Sequence, residues 1–200
     1  MKKISNVSII AITIILLLIV AAFVWIDFRI VGGKTSVESQ SATSSAGLDE
    51  AAVLPLEPNM DLYIIGPGRL SDAVQDQLEV ALRDNPYIGD VHVVEGEPAQ
   101  SEVGVLVLRI EDSEIFWTPI YSRSQVEIQL SYASDGEIAW MDEEVVNLTN
   151  SKPAIRYKGD FESRGYAFGI MSLPGYYHYL SEAVSQKIVE SLAASMMGNQ

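Results

Sequence analysis

The sequence predicts an α+β fold, a two-layer sandwich in which a mainly antiparallel sheet of four to five strands carries two helices on one face, preceded by one transmembrane helix. Three observations support this prediction. Residues 5–26 contain no charged side chain, and about 20 apolar residues are enough to cross a bilayer as a helix. Several later runs alternate apolar and polar residues with a period of two, as strands do. Two other segments repeat apolar residues every four positions, as amphipathic helices do.

The apolar run at the amino terminus predicts a location. Lys2 and Lys3 precede it, and short basic flanks tend to remain cytoplasmic. We therefore expect residues 5–26 to lie in the lipid bilayer of a single-pass membrane protein, with the amino terminus cytoplasmic and the folded domain extracytoplasmic. A cleaved signal peptide is the alternative, with Val20, Ala21 and Ala22 as a small-residue cleavage site. The continuation of the apolar run to Ile26 favours an uncleaved signal-anchor.

Composition divides the chain into an amino-terminal transmembrane anchor at 1–31, a flexible linker at 32–58 and an extracytoplasmic α+β domain at 59–200. The stretch 32–47 is rich in Gly, Ser and Thr, a composition typical of a tether. The absence of cysteine excludes disulfides and thiolate chemistry. A formal net charge of −14 argues against a nucleic-acid partner, because phosphate contacts require basic side chains.

The first half of the domain predicts a strand, a helix and two more strands. The apolar run 61–65 ends at Gly66 and Pro67, as a buried strand does. Ser71 or Asp72 can cap the following helix. The apolar stripe of that helix consists of Val74, Leu78 and Leu82. Asn85 and Pro86 end it, and the β-branched runs 91–95 and 103–110 predict the next two strands.

The second half predicts a hairpin and a closing helix. Residues 125–132 alternate apolar and polar side chains, and Asp135 with Gly136 supplies a turn that leads to a partner strand at 137–147. The apolar stripe of the last helix consists of Leu180, Val184, Ile188, Leu192 and Met196. The predicted order of the domain is therefore β-α-β-β-β-β-α.

The sequence resembles small bacterial envelope domains in this order of elements. The segments that carry the resemblance are DLYIIGPGRLSDAVQDQLEVAL, VHVVE, VGVLVLRI and VEIQLSYASDGEIAW, followed by the amphipathic helix. Together, over 61–197, they look like the TolB amino-terminal domain and the CsgG-type and LptE-type assembly lipoproteins, and the DGEIAW turn is similar to a hairpin common in that group. The lipidated cysteine of those lipoproteins is missing here. The resemblance implies an accessory or assembly role, with another envelope protein as the partner.

No motif in the sequence predicts catalysis, a cofactor or a metal. His92 and His178 are the only histidines, and they are not at helical ligand spacing from one another. The grouped acids at 111–114 and 142–144 are interpreted as solvated. The alternative is a hydrolase of an envelope polymer that uses paired carboxylates, one kept protonated by an apolar pocket. A sensor domain is disfavoured because only about four residues precede the apolar run.

Two groups of aromatic residues provide the candidate functional site. Tyr and Trp often anchor protein interfaces, and these rings follow one another in a strand connection and before the last helix. The candidate partner-contact residues are Phe116, Trp117, Tyr121, Tyr176 and Tyr177. The alternative is that the same rings fill the edge of the core. The leading hypothesis is a non-enzymatic binding or assembly domain.

Overall fold

The structure, a computed structural model, describes residues 6–46, 58–141 and 154–197. Within these ranges the chain forms three helices and six strands. In chain order they are α1 (Asn6–Trp25), β1 (Arg29–Ala46), β2 (Met60–Ile65), α2 (Gly68–Arg83), β3 (Val91–Val93), β4 (Gly104–Trp117), β5 (Tyr121–Ala133), β6 (Ala154–Met171) and α3 (Leu173–Met197).

The described strands form one mixed, curled sheet in the order β1-β6-β5-β4-β2-β3. β2 runs parallel to both β3 and β4, whereas the other neighbours are antiparallel. β1 pairs with β6 from Arg29 opposite Met171 to Ala46 opposite Ala154. A register irregularity lies in β4 between Ile110 and Asp112. The sheet is therefore long and antiparallel on one side and short and parallel on the other.

The two later helices cover one face of this sheet. The predicted stripes are confirmed by burial of Val74, Leu78, Leu82, Leu180, Val184, Ile188 and Leu192, while the side chain of Met196 lies outside the described residues. These side chains pack against inward residues of the strands, including Leu106, Leu130 and Phe161. Neither predicted cap is used, since the N-cap of α2 is Pro67 and makes no side-chain hydrogen bond.

The predicted fold class, a mainly antiparallel sheet of four to five strands, is wrong. The described sheet has six strands and is mixed. The strands that were not predicted are β1 and β6. The segment 32–47 has the composition of a tether, yet the structure includes residues 32–46 in β1. Few of its side chains are apolar, but hydrogen bonds to β6 hold its backbone.

The hairpin predicted after β5 also differs in the structure. Gly136 does adopt a positive φ of 71°, which favours glycine. The chain then turns across the sheet instead of returning as a strand over residues 137–141, and residues 142–147 lie outside the described ranges. The hydrogen-bonded partner of β5 at this edge is β6. Burial of Trp140 and Met141 explains the path, because both pack on the outer face of the sheet.

The predicted transmembrane anchor is wrong. Among the described residues, no helix combines the length and the apolar character that crossing a bilayer requires. The signal-anchor interpretation and the single-pass location, with a cytoplasmic amino terminus and an extracytoplasmic domain, are not supported either.

A cover of residues 134–141 protects one end of the outer sheet face. Trp140 and Met141 pack there on apolar residues of β2, β4 and β5, namely Tyr63, Val105, Val107 and Ala133. Arg156 of β6 holds the cover through Asp135, at 3.2 Å, and Glu137, at 2.7 Å. The Arg156 guanidinium also lies 5.6 Å from the centre of the Trp140 ring. The remainder of the outer face is left without this cover.

Candidate functional site

The candidate site is the part of the outer sheet face that lies beyond this cover, which we call the open face. Successive side chains of a strand point to opposite faces, so every second residue of β1, β6, β5 and β4 contributes to it. Its members are Lys34, Ser36, Glu38, Asp112, Glu114, Phe116, Tyr121, Arg123, Gln125, Glu127, Glu162, Arg164, Tyr166 and Phe168. Within the described ranges no helix packs on these side chains, and most are exposed.

Four rings form an aromatic patch at the end of the open face nearest the β4–β5 turn. The patch consists of Phe116, Tyr121, Tyr166 and Phe168. Ring centres are 6.4 Å apart for Phe116 and Tyr121, 5.2 Å for Tyr121 and Phe168, and 5.5 Å for Tyr166 and Phe168. Ile120 and Ile170 extend the exposed apolar surface beside it. Exposed apolar surface that is continuous in this way is typical of an interaction site.

Three cations adjoin the aromatic patch. Lys34 and Arg123 lie in register on either side of Tyr166, and Arg164 lies one row further along the strands. The Arg123 guanidinium is 5.9 Å from the centre of the Phe116 ring, within the range of a cation–π contact. Three of the rings, the three cations and Glu114 line an open groove of about 840 Å³.

A row of carboxylates follows the cations along the same strands. Glu38, Glu162, Glu127 and Asp112 face one another in register across β1, β6, β5 and β4. Glu162 accepts hydrogen bonds from Gln125 and Arg164, at 2.9 and 2.7 Å. Among the described residues, no three His, Asp or Glu side chains are placed to hold a metal ion. The open face thus changes from aromatic to cationic to acidic along its strands.

The five predicted contact residues do not lie together. Phe116 and Tyr121 belong to the aromatic patch, whereas Trp117 points to the helix-covered side with Tyr176. Tyr176 is only 1% exposed, so a partner cannot reach its ring. Tyr177 packs partly against the main core. Trp117 is half-buried and packs against a small buried cluster, as the alternative of a ring at the edge of the core predicts.

Sequence reasoning did not predict the cations of this site or the position of its two rings on β6. In the sequence, Tyr166 and Phe168 precede the last helix without an apolar run that would mark a strand around them. The signal that identifies β6 is an alternation of large and small residues, since Gly165, Ala167 and Gly169 separate Arg164, Tyr166, Phe168 and Ile170. A period of two is typical of a strand, and it places the larger side chains on one face.

Comparison with known proteins gives little further information. No protein-family model matches the sequence, and no curated protein matches it. Among solved structures, a PelC dodecamer from Paraburkholderia phytofirmans shares 13% identity at a TM-score of 0.39, covering 76% of this chain and 96% of that one. Similarity at this level supports no statement about function.

Proposed function

We propose that this chain is a non-enzymatic protein-binding domain and that the open face is its contact surface. The single observation that carries the proposal is the aromatic patch, a connected set of four rings on an uncovered sheet face, beside Arg123 and Arg164. Aromatic residues and arginine are enriched in the centres of protein interfaces, and truncating such a residue often costs ~2 kcal/mol or more of binding free energy.

No observation in the described residues favours the hydrolase alternative. A general acid is kept protonated at neutral pH by burial in apolar surroundings. Several acids line the second groove of the open face, of about 460 Å³, but Glu38, Glu127 and Asp160 are exposed there. These acids therefore lack the enclosed environment that general acid catalysis requires. The more buried Asp135 is paired with the Arg156 guanidinium.

Site-specific photo-crosslinking tests the proposal. A benzophenone amino acid is placed at position 166 in the full chain, expressed in its own cells, and a matched control is placed at position 87. Tyr166 and Tyr87 are both 45% exposed, but Tyr87 lies in the loop after α2, away from the open face. We expect one dominant protein adduct at position 166 and none of that mass at position 87.

A second variant connects the adduct to the aromatic patch. Phe168→Ala should lower the yield at position 166 at least tenfold without changing the melting temperature by more than a few degrees, because half of the Phe168 ring is already in solvent. Equal adduct yields at positions 166 and 87, or an adduct indifferent to Phe168→Ala, would contradict the proposal.

A further inference from the structure

We propose that the open face recognises an acidic protein segment with apolar anchors, whose carboxylates pair with Lys34 and Arg123 while its apolar side chains cover the aromatic patch. This inference rests on the proposed function and adds to it the chemistry of the partner. The charges, their register and the extent of the groove support it.

The three cations of the open face differ in whether they form an ion pair. Arg164 has its own carboxylate partner, Glu162, at 2.6 Å. Among the described residues, neither Lys34 nor Arg123 has an ion-pair partner. The chain has 27 acidic and 13 basic side chains, so two exposed cations that form no ion pair stand out against its general charge. Glu114 lines the same groove, but it is not within ion-pair distance of either cation. A carboxylate supplied from outside completes this arrangement.

The register of the strands fixes where such carboxylates must lie. Lys34 is opposite Tyr166 and Tyr166 is opposite Arg123, so the two cations are two strand spacings apart, or ~10 Å. Phe116 continues the same row on β4. A segment that crosses the strands along this row meets a cation, a ring, a second cation and a second ring. The segment must therefore present carboxylates and apolar side chains on the same side, which in an extended chain means at every second residue.

The carboxylate row limits how the segment can run. Glu38, Glu127 and Glu162 lie further along the same strands and repel an acidic chain that follows the strand direction. The favourable path is therefore across the strands, over roughly three strand spacings, or ~15 Å. An extended peptide covers that length with about five residues, of which every second side chain points to the open face. A long polyanion such as a nucleic acid does not fit this restriction.

Charge reversal at Arg123 tests the inference in the cell. Using the photo-crosslinker at position 166, we expect Arg123→Glu to lower the adduct yield about tenfold, because an ion pair becomes a repulsion. Arg123→Lys keeps the charge and should retain most of the adduct. Arg83→Glu makes the same charge change on α2 at a side chain that is also exposed and should leave the yield within about twofold.

Two labelled peptides test the chemical class directly with the purified full chain. Glu-Ser-Phe-Ser-Glu-Ser-Phe, which presents acidic and aromatic side chains on one side of an extended chain, should bind at least fivefold more tightly than Lys-Ser-Phe-Ser-Lys-Ser-Phe at 50 mM salt. The difference should shrink at 500 mM because salt screens exposed charges. In a Lys34→Glu, Arg123→Glu double variant the preference should reverse. Circular dichroism confirms that each variant remains folded.

The outcomes separate this inference from the proposed function. If the adduct at position 166 forms but does not respond to Arg123→Glu, or if both peptides bind equally, the acidic partner is refuted while the contact surface stands. If no adduct forms at position 166, the proposed function itself fails. Self-association in sedimentation that is lost in Arg123→Glu would identify a second copy of this chain as the occupant and would overturn the separate partner.

Discussion

The buried Arg156 cluster gives the sharpest prediction about what holds the outer face together. Arg156 is 3% exposed and has carboxylate partners in Asp135, which is 11% exposed, and in Glu137, which is 46% exposed. Replacing Arg156 with Met keeps a long side chain but removes the charge. The cost should come mainly from Asp135, which stays buried without its cation, since Glu137 can turn towards water.

The expected magnitude follows from burial. Removing one partner of a buried ion pair typically costs ~3–5 kcal/mol, whereas removing an exposed carboxylate costs about 1 kcal/mol or less. Arg156→Met should therefore lower the free energy of unfolding by about 3–5 kcal/mol, and Glu137→Gln by about 1 kcal/mol or less. The contact of Arg156 with the Trp140 ring adds to the first value.

Urea denaturation followed by circular dichroism measures both values from the midpoint and the slope. The double variant Arg156→Met, Asp135→Asn provides the control. Its loss should be smaller than the sum of the two single losses, because the second change removes the carboxylate that the first leaves unpaired. A loss below 1 kcal/mol for Arg156→Met, or strictly additive losses, would refute the assignment of a coupled buried cluster.

Two further predictions concern the core beneath the helices. Ile188 lies on the buried side of α3 and is fully buried, so Ile188→Ala should lower the free energy of unfolding in urea by about 2–5 kcal/mol. An unchanged midpoint would show that this stripe faces something other than the sheet. Burial raises the pKa of Tyr132 and Tyr176, so the unfolded chain ionises first as the pH rises. The neutral tyrosines contribute fully to the free energy of unfolding below about pH 10. Above pH 10 this contribution falls by up to ~1.4 kcal/mol per pH unit for each tyrosine. Tyr132→Phe should therefore flatten the fall in the free energy of unfolding between pH 10 and 12. An identical decline in Tyr132→Phe would contradict that assignment.

The elements that the sequence predicted well are those whose signal is local. The four-residue spacing of Leu180, Val184 and Ile188 needs no knowledge of a partner, because it places these side chains on one side of any helix. The alternation in β5 is equally local, and Val126 and Leu130 are buried as expected. In both elements the spacing of apolar residues along the sequence already indicates which face is buried against the core.

The strands that were missed depend on pairing instead. β1 has few apolar side chains, so composition alone predicts a tether, and only its ladder with β6 makes it a strand. β6 itself carries charged residues at every second position from Arg156 to Arg164. Such a segment is stable as a strand because Ile155, Tyr157 and Phe161 alternate with those charges and are buried. The edge position of β1 cannot be derived from its own residues.

The candidate site was predicted in part for the same reason. The aromatic sequence predicts Phe116, Trp117 and Tyr121 as one group of contact residues, but neighbours in a strand face opposite ways. Once β4 is known to reach Trp117, that ring must point away from Phe116. The cations are separated from these rings by many residues, since Lys34 lies in β1 and Arg164 in β6. Only the sheet order brings them together.

The two faces of the long strands have different roles, although one alternating pattern of residues produces both. Phe161 and Ile128 face the helices and stabilise the sheet, while Glu162 and Glu127, their neighbours in sequence, remain in solvent. Towards the β4–β5 turn the outer positions change from carboxylates to rings and cations, although the inner face does not need them there. Exposed rings such as Tyr166 and Phe168 beside cations are typical of an interaction site, so the proposed function rests on the open face and not on the core.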